Sequence, residues 1–409
     1  LRKHALRGKG SRISQGLILS LLIAPVASAV NLAEAPAGFG KETNGVTSQT
    51  QFELDLATFE EREEIADGLG PVYNAQACSE CHQNPVAGAT SQVSVIRVGR
   101  FDGRRFQDRP GGSLIQDRAI DPAIQERVSG LDNVQTFRLS LSVLGDGYVE
   151  AIPDSAFDAV RAAQPPTMKG TLVRVPVLEG NNVTRVGRFG WKSQHASLLS
   201  FSADAYLNEM GITSPLQPAE NSSNGVSVAA YDTVSDPEDE ATPSTPFGAD
   251  VEAFARFMRS TRVPARDTAL AQTSEAQQGE QIFLQLGCQQ CHTPTFTTAP
   301  AGTVIHGGAY VIPAALGDKI IHPYSDFMLH DVGTGDGIVQ SGGDQTRNKM
   351  RTPPLWGLRT RSRLMHDGAS LTRHDAIVRH DHEARSVIQS YLRLSPQQRD
   401  LLMTFLSSL

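Results

Sequence analysis

Five residues occur twice in nearly the same form and constrain the rest of the chain: Cys78-Ser79-Glu80-Cys81-His82 and, 210 residues later, Cys288-Gln289-Gln290-Cys291-His292. All four cysteines sit in these two strings. Two cysteines separated by two residues on one helical turn can form thioether bonds to both vinyl groups of a haem, and the histidine that follows then lies against the iron as its proximal ligand. Each string therefore reads as one covalently bound c-type haem, the first held by Cys78 and Cys81 with His82 on the iron, the second by Cys288 and Cys291 with His292 on the iron. A redox dithiol or half of a zinc site competes, but neither needs a histidine directly after the second cysteine in both copies. A disulfide across so short a loop would be strained.

The length of 409 residues suggests two or three domains, and two haem strings favour two. The N-terminus carries Arg2, Lys3, Arg7, Lys9 and Arg12 without an acid, then an apolar stretch from Gly16 to Val26, then Ala27-Ser28-Ala29. That pattern predicts an export signal over residues 1–29, a periplasmic location and no stable membrane span once it is cleaved. An uncleaved anchor is the alternative. The five basic residues of the leader take Lys plus Arg from 37 to 32 against 44 acids, leaving a mature chain of charge near −12. Such a protein repels nucleic acid and admits a positively charged electron-transfer partner.

Apolar spacing predicts a helix over Phe52–Ile65, ahead of the first haem string, and helices over Asp154–Ala163 and Gln194–Met210. Gln92–Phe106 and Phe137–Ile152 read as short strands or extended loops. The stretch from Pro215 to Gly248 is polar, acidic and proline-broken, as a linker would be, and its run Ser235–Glu240 could hold calcium or simply be solvated. An amphipathic helix at Asp250–Met258 then opens the second half. In the next helix, Ser274–Leu286, Gly279 lies on the apolar face and lets a partner approach. The expected partner is the C-terminal helix, begun by Ser395, Pro396 and Gln398 as a capping box. The organisation expected is 1–29 signal, 30–215 first haem domain, 216–249 linker or excursion, and 250–409 second haem domain. The fold class is mainly α with extensive loops and a few short strands, in two cytochrome c-like domains.

The strings YSDFMLHDVG (Tyr324 to Gly333), MRTPPLWGL (Met350 to Leu358), LMHDGAS (Leu364 to Ser370) and HDHEA (His380 to Ala384) follow the second haem string. GYVEAIPD (Gly147 to Asp154), GRFGWK (Gly187 to Lys192) and EMGITS (Glu209 to Ser214) precede it. In this order they resemble the bacterial di-haem c-type oxidoreductases of the peroxidase or thiol oxidoreductase type, and the second half is more distantly similar to the di-haem cytochrome c peroxidases. That resemblance implies Met350 as distal ligand of the second iron, with His330 and His366 as rivals that could instead bond a haem propionate or a buried carbonyl. It offers Glu150 as the acid–base group a peroxidase needs, its apolar neighbours raising its pKa, with a surface or capping role as the alternative. His195, near Lys192, is the one histidine between His82 and His292 and so a candidate distal ligand for the first iron. Trp191 and Trp356 could carry electrons between haems or simply pack beside them. His380, His382 and Glu383 have metal-like composition, with a solvated helix start as the alternative.

The function expected is a periplasmic oxidoreductase, peroxidase-like, in which the second haem takes electrons from a small donor protein and the first reduces a small substrate such as hydrogen peroxide. A thiol oxidase or dehydrogenase with a small acceptor protein, and a pure electron carrier with two six-coordinate haems, are the alternatives.

Overall fold

The computed structural model describes residues 32–236 and 241–409, together with Leu1, His4 and Gly8. The expected leader, and the Pro237–Glu240 part of the acidic run with its calcium reading, lie outside the described residues. Leu32–Leu409 forms one compact unit.

Helix α1 (Gln49–Glu60) starts at Ser48, whose hydroxyl accepts the Gln51 amide, and buries Phe52, Leu56 and Phe59. A single 3-10 turn, Cys78–Glu80, carries the first cysteine string. The strand Ser94–Phe101 then pairs antiparallel with Val134–Leu139 and with Phe106–Gln107. The later part of the second expected strand is instead helix α2 (Asp146–Glu150), because Gly145, at φ 80°, turns the chain out of the sheet. α2 lies so close to a later backbone that a Cβ on Gly147 would stand 2.6 Å from the Arg259 carbonyl oxygen. α3 (Asp154–Ala163) falls where apolar spacing predicts it. α4 (Leu198–Ala205) is capped by Ser197 and runs into a π-helical turn, Tyr206–Met210, which stops at Gly211, at φ 74°.

α5 (Ala249–Ser260), α6 (Thr268–Ala271) and α7 (Ser274–Leu286) lead to the second cysteine string, itself a 3-10 turn at Cys288–Gln290. α8 (Arg373–Val378), α9 (Arg385–Leu392) and α10 (Pro396–Ser408) end the chain. Both halves of the capping box at Ser395 and Gln398 are formed. The expected partnership of α7 with α10 is present: a Cβ on Gly279 would meet the Leu401 carbonyl oxygen at 2.0 Å, and Phe283 lies 5.3 Å from Phe405, ring centroid to ring centroid.

α5 does not lie with them. Its Phe257 packs 4.6 Å from Phe59 and 5.5 Å from Phe52 on α1, and its Phe254 meets Tyr206 at 5.1 Å. The helix expected to open the second half therefore packs on α1 and the end of α4, because its apolar stripe matches them. Two helix pairs result, α1 with α5 and α7 with α10; the second cysteine string directly follows α7, whereas a 3-10 turn and a short strand separate the first from α1. The larger core joins α1 to α5 with Phe296, Phe327 and Trp356, and a smaller one joins α7, Tyr324, Tyr391 and α10. Helices carry both cores and the strands are short. Among the described residues no helix is long and apolar enough to cross a membrane.

Candidate functional site

Each cysteine string opens into a cavity. The second, of about 210 Å³, is lined by Cys288, Cys291, His292 and Met350 together with apolar residues of α7, α9 and α10. The first, of about 180 Å³, is lined by Cys78, Cys81 and His82, by Phe254 and Met258 of α5, and by Tyr206 and Met210. Leu139, Ser140, Leu141, Trp191 and Arg351 line both, so the cavities share a wall. The Trp191 indole donates to the Leu139 carbonyl oxygen at 2.7 Å, and the Arg351 amide donates to the Trp191 carbonyl oxygen at 2.9 Å. These bonds fix the wall across three distant stretches of sequence. Trp356 is buried in the larger core and lines neither cavity.

Burial pushes His82 and His292 down to about 4, so both imidazoles are neutral at pH 7. His292 holds its Nδ1 3.0 Å from the Tyr324 carbonyl oxygen. Nδ1 must carry the proton there, which leaves the Nε2 lone pair available to a metal. Met350 is buried and stands opposite His330 on a two-residue ladder. Among the described residues, three buried guanidinium nitrogens on the linings lack a partner, Arg97 Nε in the first cavity and Arg361 Nε and Arg373 Nε in the second. Unpaired buried donors are costly, and the carboxylates of a haem in each cavity would satisfy them. Four unbridged cysteines, two neutral histidines and these donors all fit a haem in each cavity.

The rival ligands are committed elsewhere. His330 lies between two carboxylates, with Nε2 2.8 Å from Asp326 and Nδ1 2.7 Å from Glu383. Despite its burial, those acids raise its pKa well above the ordinary value, so both nitrogens donate and neither can bind iron. Cys291, Asp326 and His330 stand close enough together to share an ion, but these bonds already engage both His330 nitrogens. His366 sets Nε2 2.6 Å from the Thr334 carbonyl oxygen, which is the buried-carbonyl role. His195 is paired with Asp204 at 3.0 Å, stacks on Phe201 and does not line the first cavity, which removes it as a distal ligand there. The Lys192 ammonium is buried against Asp336 and three carbonyl oxygens. Of the metal-like trio, His380 bonds the Ala376 carbonyl oxygen, His382 pairs with Asp331, and Glu383 pairs with His330 and Lys349. Their separate partners account for the composition without an ion.

Glu150 requires a correction. Its side chain is fully buried but lines neither cavity. Arg259 grips it at 2.6 and 2.9 Å, His306 Nε2 lies 3.1 Å away, and the Leu198 amide donates at 2.8 Å. Burial alone would raise its pKa, as the sequence suggested, but the Arg259 charge and the hydrogen bonds hold it far below the carboxylate range. It is a fixed anion joining α2, α4 and α5. The acid of α2 that does face the first cavity is Asp146, one turn earlier. Burial pushes Asp146 up to about 7, against the pull of Arg351 and with the help of the Glu150 charge. Sequence reasoning missed it because Gly145-Asp146-Gly147 reads as a turn. Asp204 and Glu209 are further acids on this lining, and Met210 and Met258 bring thioethers to it. In the excursion, Asp236 accepts from the Thr213 amide and hydroxyl at 2.6 and 2.9 Å.

Residues 117–409 match the family described as "Di-haem oxidoreductase, putative peroxidase", and the chain belongs to this family of enzymes. No curated protein matches it. Its fold is remotely similar to hydrazine synthase of Kuenenia stuttgartiensis, at 14% identity and TM-score 0.41, covering 98% of this chain and 100% of that one. A MauG-like protein associated with microbial copper homeostasis is similar at 15% identity and TM-score 0.41, with 92% of each chain covered. The diheme peroxidase BthA from Burkholderia thailandensis is similar at 14% identity and TM-score 0.41, covering 88% of this chain and 86% of that one.

Proposed function

We propose that the chain is an exported, periplasmic peroxidase with two c-type haems, thioether-bound through Cys78 and Cys81 and through Cys288 and Cys291. His82 and His292 are the proximal ligands and Met350 the distal ligand of the second iron. The two haem regions are the units closed by α1 with α5 and by α7 with α10. The haems supply one-electron chemistry and an iron at which the O–O bond of a small peroxide can be cleaved. Electrons come from a small donor protein to the second cavity and cross the shared wall at Trp191 and Arg351.

The observation that carries this reading is Asp146: a buried carboxyl, tuned near neutrality, on a cavity whose lining, among the described residues, has His82 as its one histidine and no lysine. Ionised Asp146 takes a proton from the bound peroxide and returns it to the leaving oxygen. Arg351, also on this lining, steadies the anion that forms. Glu150 and Arg259 hold α2 and so set where Asp146 stands.

Asp146→Asn keeps size and shape but cannot move a proton. Its peroxide turnover should fall by about 10²–10⁴-fold, with both haem spectra retained. Wild-type turnover should rise as pH passes upward through about 7, because Asp146 must start ionised, and this rise should vanish in the variant. Unchanged turnover with an unchanged pH profile would remove Asp146 from the reaction. Two low-spin haems indifferent to peroxide would instead favour the electron carrier.

A further inference from the structure

Glu383 belongs to the trio whose composition suggested a metal, and its partners give it another task. It sits in the 3-10 turn His382–Ala384 that leads into α9. Its carboxylate accepts from His330 Nδ1 at 2.7 Å, from the Lys349 ammonium at 3.0 Å and from the Asp331 amide at 3.2 Å. His330 is on one side of the ladder that pairs Leu329–His330 with Met350–Arg351, and Lys349 directly precedes Met350 on the other. One carboxylate therefore grips both strands. The Lys349 ammonium also donates to Thr171 Oγ1 at 3.1 Å, and Thr171 pairs with Leu329 on the far side of the ladder. With two residues a side, such a ladder is not rigid through its own backbone bonds alone. The grip continues to the cysteine string. His330 Nε2 bonds Asp326 at 2.8 Å, the Asp326 amide donates to the Cys291 carbonyl oxygen at 2.8 Å, and Gln164 holds the Asp326 carboxylate at 2.7 Å. Cys291, Asp326, His330, Glu383 and Lys349 thus form one continuous chain of bonds, from the string that would carry the second haem to the residue beside Met350. Two carboxylates face two cations along it, so its buried charges are compensated.

We infer that Glu383 is a positioning residue for the second haem: through His330 and Lys349 it fixes where Met350 stands relative to the Cys291 string, and so keeps the thioether on the iron. The inference rests on Met350 being the distal ligand, as proposed above. A methionine side chain turns about three bonds, and a soft thioether holds ferric iron less firmly than an imidazole does. The placement of the backbone that carries Met350 then decides how readily the bond opens. Glu383 does not line the second cavity, so it acts through Met350. Asp146 lines the other cavity and has no part in it.

The test is a titration of the oxidised holoprotein with imidazole, followed by the far-red sulfur-to-iron absorption, which reports the thioether on the second iron. Glu383→Gln keeps the size of the side chain and removes its charge. Imidazole should then displace the thioether at a concentration about 10–100-fold lower than in the wild type, the effect of a lost hydrogen bond between charged groups on the opening of one bond. The potential of the second haem should fall with it. Lys349→Met leaves His330 on Glu383 and should act in the same direction but less, and it gives the answer if Glu383→Gln does not fold. Arg385→Gln removes the exposed pair with Asp381 beside the same turn and should leave the titration unchanged. The spectrum of the first haem reports that each variant is folded. A wild-type titration in Glu383→Gln and Lys349→Met would overturn the positioning role and leave Met350 as ligand. An equal shift in Arg385→Gln would overturn it too, because any loosening of the turn would then suffice. A wild type without the sulfur-to-iron absorption would remove Met350 as ligand, and the positioning role with it.

Discussion

The two cavities share a wall but differ in the chemistry of everything else around them. The first is lined by Asp146, Asp204 and Glu209 with Arg97 and Arg138, whereas among the described residues the second carries no acid on its lining, only cations, neutral polar groups such as Thr334 and Thr352, and the apolar groups around Met350. A mixed lining can hold a carboxyl near neutrality, as it does Asp146. An acid-free, mainly apolar lining excludes water and favours the reduced, less charged state of a haem. Helix pairing is the same in both, so the difference comes from what α2, α4 with its π-helical turn, and the paired strands contribute. The same kind of helix pair, used twice, thus supports a mixed, acid-bearing lining at one cavity and an acid-free one at the other.

The most severe way to break this comparison is to remove one side of it. Cys288→Ala with Cys291→Ala should cut the intact mass by one haem and leave the spectrum of the first in place, while turnover fed by an electron-donor protein collapses. Met350→His should act on one side only, lowering the second haem's potential and removing any weak far-red sulfur-to-iron absorption, with the first haem unchanged. If neither potential nor spectrum moves, Met350 is a core residue. Gly279→Ala tests the scaffold rather than the chemistry. Its Cβ would stand 2.0 Å from the Leu401 carbonyl oxygen, so α7 and α10 must separate. The expected cost is about 1–3 kcal/mol, read as a lowered denaturation midpoint, with the spectrum of the second haem disturbed before that of the first.

Much of the second half was legible in advance because its signals are local. The cysteine string, the glycine at 279 and the capping box at Ser395 each need only a few neighbouring residues, and α7 and α10 lie where those residues put them. The first half hides its organisation in long-range pairing. α5 has the same amphipathic pattern whether it serves the first cavity or the second, and only the fit of Phe257 against Phe52 and Phe59 decides. Glu150 shows the same limit in its charge. Apolar neighbours at 149 and 151 suggested a raised pKa, but Arg259, 109 residues away, reverses the sign. Asp146, four residues earlier, has the raised pKa because Arg351 pulls on it more weakly than burial pushes. Which acid is tuned depends on a partner that no local pattern reveals.

The most direct test is to reduce the holoprotein by one electron, add hydrogen peroxide, and follow both haems by electron paramagnetic resonance and absorption, with Cys78→Ala/Cys81→Ala and Cys288→Ala/Cys291→Ala proteins to assign the signals. The division of labour between the cavities requires that the added electron rest on the second haem, which has Met350 beside it, and that peroxide change the signal of the first. Peroxide acting at the second haem, or the electron settling on the first, would contradict it.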